Sequence, residues 1–339
     1  MECTYCPRRC LLQNDRPGAC GAYGAENGKI TEKHPHRWTV MYATHIESVP
    51  FYHAYPGSRS FLLGSSGCNL DCAYCSNAYV AKGDPAQLYA FDLPPAKVVD
   101  LVGKTGCHNI VFGINEPLVS LPSLRELAEE AKRSNIPMGC LTNGYMTEES
   151  AQEISTLFSF INVSLKSLSD DFYRDFTGVP SVQPVLDSIK YFSERNHLEI
   201  TTPIIQGIND QEIEMMADFI AAINPAIPWH VFRLLPEYKM KDRDYPDIAQ
   251  INRKLEEARK KLPFIYFSNF AGTRWVNTLC PHCRELVIER INFSGCGGKL
   301  VDYKLRGNRC PFCGGEVPIH GQKVNWNSLD KDYKDYRGG

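Results

Sequence analysis

The chain has 339 residues, 43% of them hydrophobic, with 37 basic against 39 acidic side chains for a formal net charge of −2, and 14 cysteines. That length buries a sizeable core without covalent staples, so the cysteines are not needed for stability, and the balanced charge excludes a general nucleic-acid binder, whose affinity comes from clustered Lys and Arg. No export sequence is legible after Met1 and no run of about 18 apolar residues exists, so a cytoplasmic protein without a membrane span is expected; a cysteine-rich chain of that kind reads as a metalloprotein.

In chain order, the first expected unit is a Cys-rich segment, residues 1–30, holding Cys3, Cys6, Cys10 and Cys20. Four thiolates suffice for one closed metal site or for an iron–sulfur cluster, and the spacing leaves both open. A core over residues 58–270 follows. Short β-rich runs at 60–65, 109–113, 137–142, 160–165, 198–204 and 229–234 alternate with helix-length amphipathic stretches near 95–103, 121–134, 147–157, 182–195, 210–223 and 248–262. Several runs are apolar on both faces, as parallel strands covered on both sides should be. Six βα units fit an α/β fold, either an open doubly wound sheet or a barrel, complete or partial, with the chemistry at the C-terminal ends of the strands. Cys107 and Cys140 sit beside expected core strands and read as small buried hydrophobes.

A C-terminal module over 277–320 carries Cys280-Pro-His-Cys283 and Cys310-Pro-Phe-Cys313. Two such knuckles signal one tetrahedral four-sulfur site, for zinc first and mononuclear iron second, in a zinc-ribbon or rubredoxin-like module. Cys296, between the pairs in a Gly-Cys-Gly-Gly run, is expected to be free, and residues 325–339 to form a flexible polar tail.

The central motif is Cys68-Asn-Leu-Asp-Cys72-Ala-Tyr-Cys75, directly after the first strand. Three thiolates in eight residues can hold one face of an iron–sulfur cube and leave one iron open for an exchangeable ligand. The alternative is a zinc site whose fourth ligand lies elsewhere. No Gly-x-Ser-x-Gly, His-Glu-x-x-His or P-loop accompanies it, which suits chemistry carried by a cofactor.

This triplet, with Tyr74 before its last Cys at the end of the first strand of a six-unit βα core, resembles the radical SAM superfamily. Gly113-Ile-Asn-Glu116-Pro117 after the second strand is similar to that family's Gly-Gly-Glu-Pro element, which receives the methionine amino group. Flanking phrases such as Tyr52-His-Ala-Tyr-Pro-Gly-Ser58, Asp171-Phe-Tyr-Arg-Asp-Phe-Thr-Gly178 and Pro228-Trp-His-Val-Phe-Arg233 resemble the AmmeMemoRadiSam-type branch, related to pyruvate formate-lyase activating enzyme. The resemblance implies a partial (β/α)6 barrel and a [4Fe-4S] cluster on Cys68, Cys72 and Cys75. It also implies S-adenosylmethionine (SAM) bound through Tyr74, Asn115, Glu116, Asn143, Ser164, Lys166 and His230. The branch usually has Asp where this chain has Ser164, and Gly where it has Arg284.

The activity so implied is reductive cleavage of SAM to a 5′-deoxyadenosyl radical that abstracts hydrogen from a substrate, a protein in the glycyl-radical activators. The electron donor expected is a ferredoxin or flavodoxin. Modification of a small molecule or RNA is the alternative among enzymes, and a metal-ribbon adaptor without catalysis is the alternative from another class.

Overall fold

The computed structural model describes residues 1–13, 17–292 and 298–324. The expected tail at 325–339 and Cys296 lie outside the described residues. Near the N-terminus, β1 (Tyr23–Glu26) and β2 (Lys29–Glu32) form an antiparallel hairpin whose turn residues, Asn27 and Gly28, have φ of 50° and 72°. An Asn-Gly pair favours this doubly left-handed turn because its twist matches that of the strands. The hairpin ends at Glu32.

Next come β3 (Arg37–Trp38), β4 (Val40–His45), β5 (Arg59–Gly64), the single-turn helix α1 (Ala78–Ala81) and β6 (Phe91–Asp92), which pairs with β3. The repeating part continues with α2 (Pro95–Lys104), β7 (Asn109–Phe112), α3 (Leu121–Arg133), β8 (Met138–Thr142), α4 (Glu148–Leu157) and β9 (Phe160–Ser164). After the short turn α5 (Asp170–Phe172) come α6 (Gln183–Ser193), β10 (His197–Ile204), α7 (Ile213–Ile223), β11 (Trp229–Arg233), α8 (Ile248–Ala258) and β12 (Ile265–Ser268). The six expected strands lie within one residue of their predicted bounds. Local chemistry sets the helix starts. Thr147 caps α4 through Ser150 N, with Glu148 and Glu149 in its first turn, and Asp247 caps α8 through Ala249 N and Gln250 N.

The sheet order is β12-β11-β10-β9-β8-β7-β5-β4, with β5 and β7 to β12 parallel and β4 antiparallel at one edge. It exceeds the six-unit expectation by β12, onto which α8 returns, and by β4. The two edge strands do not pair with each other among the described residues, so the sheet is open. Strand alternation divides its faces. Phe61, Leu63, Ile110, Phe112, Ile161 and Val163 point into the helical layer, each buried side chain worth about 1.5–3 kcal/mol. Leu62, Val111 and Phe160 point the other way and pack on Ile46, Val49 and Phe51. Helices thus cover one face only, not both. Gly139 on β8 is required there, since a Cβ would stand 2.1 Å from the Phe160 ring.

The C-terminal strands β13 (Thr278–Leu279), β14 (Leu286–Ile291) and β15 (Lys299–Tyr303) form an antiparallel sheet. This module docks beneath the main sheet. Arg290, 2% exposed, donates to Tyr52 O at 2.6 Å, Val276 O at 3.0 Å and Thr278 Oγ1 at 2.8 Å. Beside it the Glu199 carboxylate is fully buried and accepts from Tyr52 N, His53 N, His197 Nε2 and His230 Nε2 at 2.9, 2.8, 2.9 and 2.5 Å. Those bonds outweigh its burial and hold its pKa well below the usual carboxylate range.

This buried network sets an acid limit. Burial lowers His53 from 6.5 to about 3, and burial also lowers His45 and His320 to about 4. The unfolded chain takes up these protons below about pH 6.5 while the folded one does not, so acidification costs stability. Between pH 4.5 and 7 the effect is blunted by Glu47 and Glu116, which burial raises to about 7 and which bind protons in the folded state. Below pH 4.5 that compensation ends and Glu199 adds to the loss. Denaturation midpoints measured against pH should fall gently from pH 6.5 to 4.5 and steeply below it. No helix among the described residues is long and apolar enough to cross a membrane.

Candidate active site

The parallel register brings Gly64, Phe112, Thr142, Ser164, Ile204 and Arg233 to one edge of the sheet. A pocket of about 500 Å³ opens there. Its wall at β5 is the loop carrying Cys68, Cys72 and Cys75, all three of which line the pocket. The loop leaves the strand through Gly64, where a Cβ would lie 2.7 Å from Gly113 O, and Gly67, with φ 94° and a Cβ position 2.5 Å from Cys20 O. Asp71 N donates to Thr177 O at 2.8 Å and Ala73 N to Phe176 O at 2.9 Å, so both sides of Cys72 are tethered. Burial pushes the Cys68 thiol up to about 12 and raises Cys75 as well. Ligation by iron is the state in which these sulfurs would be thiolates.

After β7 the chain turns at Ile114, whose φ of 76° puts a β-branched residue in the left-handed region at a cost of roughly 1–2 kcal/mol. The turn delivers Asn115 and Glu116 to the pocket. Asn115 braces the cysteine loop: Oδ1 accepts from Ser65 N at 3.0 Å, and Nδ2 donates to Ser65 Oγ and Gly67 O, both at 3.1 Å. The Glu116 carboxylate, 2% exposed, accepts from Thr142 Oγ1 and Asn143 N, both at 2.8 Å, and from Leu118 N at 3.4 Å. Asn143 Nδ2 reaches Cys68 Sγ at 3.7 Å and Asn69 Oδ1 at 2.8 Å.

Across the pocket stand Ser164 and Lys166. The Lys166 ammonium belongs to a residue 8% exposed, lies 5.9 Å from the Tyr74 ring, and has no hydrogen bond or ion pair among the described residues. Tyr74, also on the pocket wall, is buried with its Oη beside Cys72. A cationic and an anionic side chain lining one pocket suit the two charged ends of an amino acid. The three thiols, Glu116 and Lys166 together therefore fit a three-ligand cluster and the methionine part of SAM.

His230 is not brought to this group. It is fully buried, its Nε2 donates to Glu199, and its ring stacks edge-on to Tyr52 at 4.6 Å, under the pocket rather than in its lining. Sequence reasoning missed Asn162, Thr201, Phe232 and Asn269, which do line it. Two-residue alternation counted back from Ser164 would have found Asn162.

In the C-terminal module Cys280, Cys283, Cys310 and Cys313 have ligand atoms all within 4.8 Å of one another, with Sγ–Sγ separations of 3.6 Å for Cys280–Cys313 and 3.7 Å for Cys283–Cys310. Zn–S bonds of about 2.3 Å in a tetrahedron set sulfurs about 3.8 Å apart, so the four thiols fit one ion. Arg284, with φ 66°, stands after the first knuckle as Gly314, φ 73°, stands after the second. Cys140 is fully buried in the helical-side core and Cys107 packs against it, as expected.

Residues 62–220 match the family model described as the radical SAM superfamily. Over 327 residues the chain is 25% identical to an uncharacterized protein of Methanocaldococcus jannaschii, covering 94% of this chain and 95% of that one. It is 30% identical over 168 residues to the GTP 3′,8-cyclase of Desulforamulus reducens, covering 48% of this chain and 50% of the cyclase. The structure of Streptococcus suis SuiB bound to its precursor peptide SuiA aligns at a TM-score of 0.49 and 15% identity, covering 66% of this chain and 48% of that one. The chain thus spans about half the length of the cyclase and of SuiB. The match spans residues 62–220, and the family it describes implies a [4Fe-4S] cluster and SAM.

Proposed function

We propose that the radical SAM domain of residues 62–220 reductively cleaves SAM and uses the product to abstract hydrogen from a substrate. Cys68, Cys72 and Cys75 would hold the cluster. When bound, cluster and SAM supply a 5′-deoxyadenosyl radical by one-electron cleavage of the sulfonium, methionine being the other product. A ferredoxin or flavodoxin would supply the electron. The C-terminal thiols would hold structural zinc.

The observation that carries this reading is that Lys166, whose ammonium has no hydrogen bond or ion pair among the described residues, and the buried Glu116 carboxylate line one pocket. Glu116 receives the methionine ammonium, held in place by Thr142 and Asn143 N. Lys166 receives the methionine carboxylate. Asn115 and Asn143 hold the cysteine loop. His230 has no part in binding; it belongs to the buried support beneath.

The resemblance to the activating-enzyme branch favours a protein segment as substrate. Similarity to the Desulforamulus reducens GTP 3′,8-cyclase supports a second reading, a small nucleotide. Anaerobically reconstituted protein given dithionite and SAM should yield 5′-deoxyadenosine; none formed, the reading fails and an adaptor role gains. Stimulation of that yield by GTP would favour the nucleotide. Glu116→Gln should weaken SAM binding about 10–100-fold, the worth of one hydrogen bond to a charged group, while iron content stays unchanged. Unchanged affinity by equilibrium binding would reduce Glu116 to its cap on Leu118 N.

A further inference from the structure

The four N-terminal cysteines take no part in the site above, yet the fold gathers them against it. Cys3 N donates to Cys10 O at 2.8 Å, and Gly18 lets the returning chain pass with its Cβ position 3.3 Å from Cys10 Cβ. The Cys20 thiol, raised to about 11 chiefly by burial, also feels the charge of Cys3, Cys6 and Cys10. Cys10 Sγ accepts the Ala19 backbone N–H at 3.4 Å. Such donors stabilise thiolates.

Spacing separates this set from the C-terminal one. Among the described residues, Cys280, Cys283, Cys310 and Cys313 are the only group of three or more candidate ligands whose atoms all lie within 4.8 Å of one another. No three of Cys3, Cys6, Cys10 and Cys20 meet that limit, and neither do Cys68, Cys72 and Cys75. A single tetrahedral ion draws four sulfurs to about 3.8 Å. Both of the other thiol sets thus fall outside the spacing of a single tetrahedral site.

The two wide sets also touch. Cys20 O lies against Gly67, next to Cys68. Asn69 Oδ1 accepts from Asn143 Nδ2, which reaches Cys68 Sγ, and Asn69 also lies beside Cys6. Arg8 fixes this seam, donating to Asn69 O at 2.6 Å and Gly178 O at 2.7 Å.

We propose that Cys3, Cys6, Cys10 and Cys20 hold a second four-iron, four-sulfide cluster packed against the loop of the first. This rests on the reading of Cys68, Cys72 and Cys75 as ligands of the first, and paired variants of the full chain keep the two apart. In the Cys68→Ala, Cys72→Ala, Cys75→Ala triple variant, anaerobic reconstitution should leave about four irons and about four acid-labile sulfides per chain, with a reduced EPR signal that SAM does not alter. In the Cys3→Ala, Cys6→Ala, Cys10→Ala, Cys20→Ala variant about four sulfides should also remain, with a signal that SAM does alter. No labile sulfide in the triple variant overturns the second cluster, whether the metal found is zinc, one iron or none. No sulfide in the quadruple variant, with the triple variant loaded, overturns the reading of the first instead. Should the quadruple variant fail to fold, wild type against the triple variant decides: about eight sulfides against about four support the proposal, and about four against none reject it.

Discussion

Cys72→Ala should abolish 5′-deoxyadenosine formation and remove the iron that SAM perturbs, with the melting temperature little changed. Cys72 offers one of three thiols on the pocket wall, and a cube held at three corners has no spare ligand. The loop itself is tethered independently of that sulfur, through Asp71 N to Thr177 O and Ala73 N to Phe176 O. The substitution therefore removes a ligand and leaves the loop's support in place. The C-terminal metal should remain, since its four thiols form a separate group, three of them packed with Val287, Ile288 and Leu305. Iron, zinc and sulfide analysis alongside chromatographic detection of 5′-deoxyadenosine makes the check. A Cys72→Ala protein that still cleaves SAM would refute the open-iron site.

Glu199→Ala should be the most destabilising single substitution in the support beneath the pocket, costing about 3–5 kcal/mol, the usual penalty for removing one partner of a buried charged group. Four donors converge on this carboxylate: two backbone amides of the 52–53 segment and the Nε2 atoms of His197 and His230. Alanine would leave all four buried without acceptors, and an orphaned buried donor costs about 1–3 kcal/mol. The damage should reach the C-terminal module, because Arg290 holds Tyr52 O and His53 Nδ1 donates to Pro318 O at 2.7 Å. Glu199→Gln, which keeps one acceptor oxygen, should fall between alanine and wild type. Chemical denaturation midpoints measure the series; a wild-type midpoint for Glu199→Ala would show the network to be dispensable.

Particular residues show how far the sequence reaches. The βα series was legible because helix and strand periods are written locally, and capping residues such as Thr147 and Asp247 mark where helices begin. The strand β12 was missed although Phe264-Ile-Tyr-Phe-Ser268 directly follows α8, and the β1–β2 hairpin was missed although Asn27-Gly28 announced it. Glu116 and Lys166 were legible as odd residues at strand ends. His230 stands on a strand of the same sheet, and only the position of Glu199 on β10 shows where its ring turns.

By itself the sequence determined the three thiol sets, the alternation of strands and helices, and the residue types at the strand ends, since each is a matter of spacing along one stretch of chain. Tertiary structure alone decided that Lys166 and Glu116 line one pocket with no ion pair to Lys166 among the described residues, that His230 Nε2 turns to Glu199, and that the C-terminal thiols gather within 4.8 Å of one another. Those facts depend on the register between strands and on contacts between residues far apart in sequence, such as Cys20 with Gly67 and Arg290 with Tyr52, which no local pattern encodes.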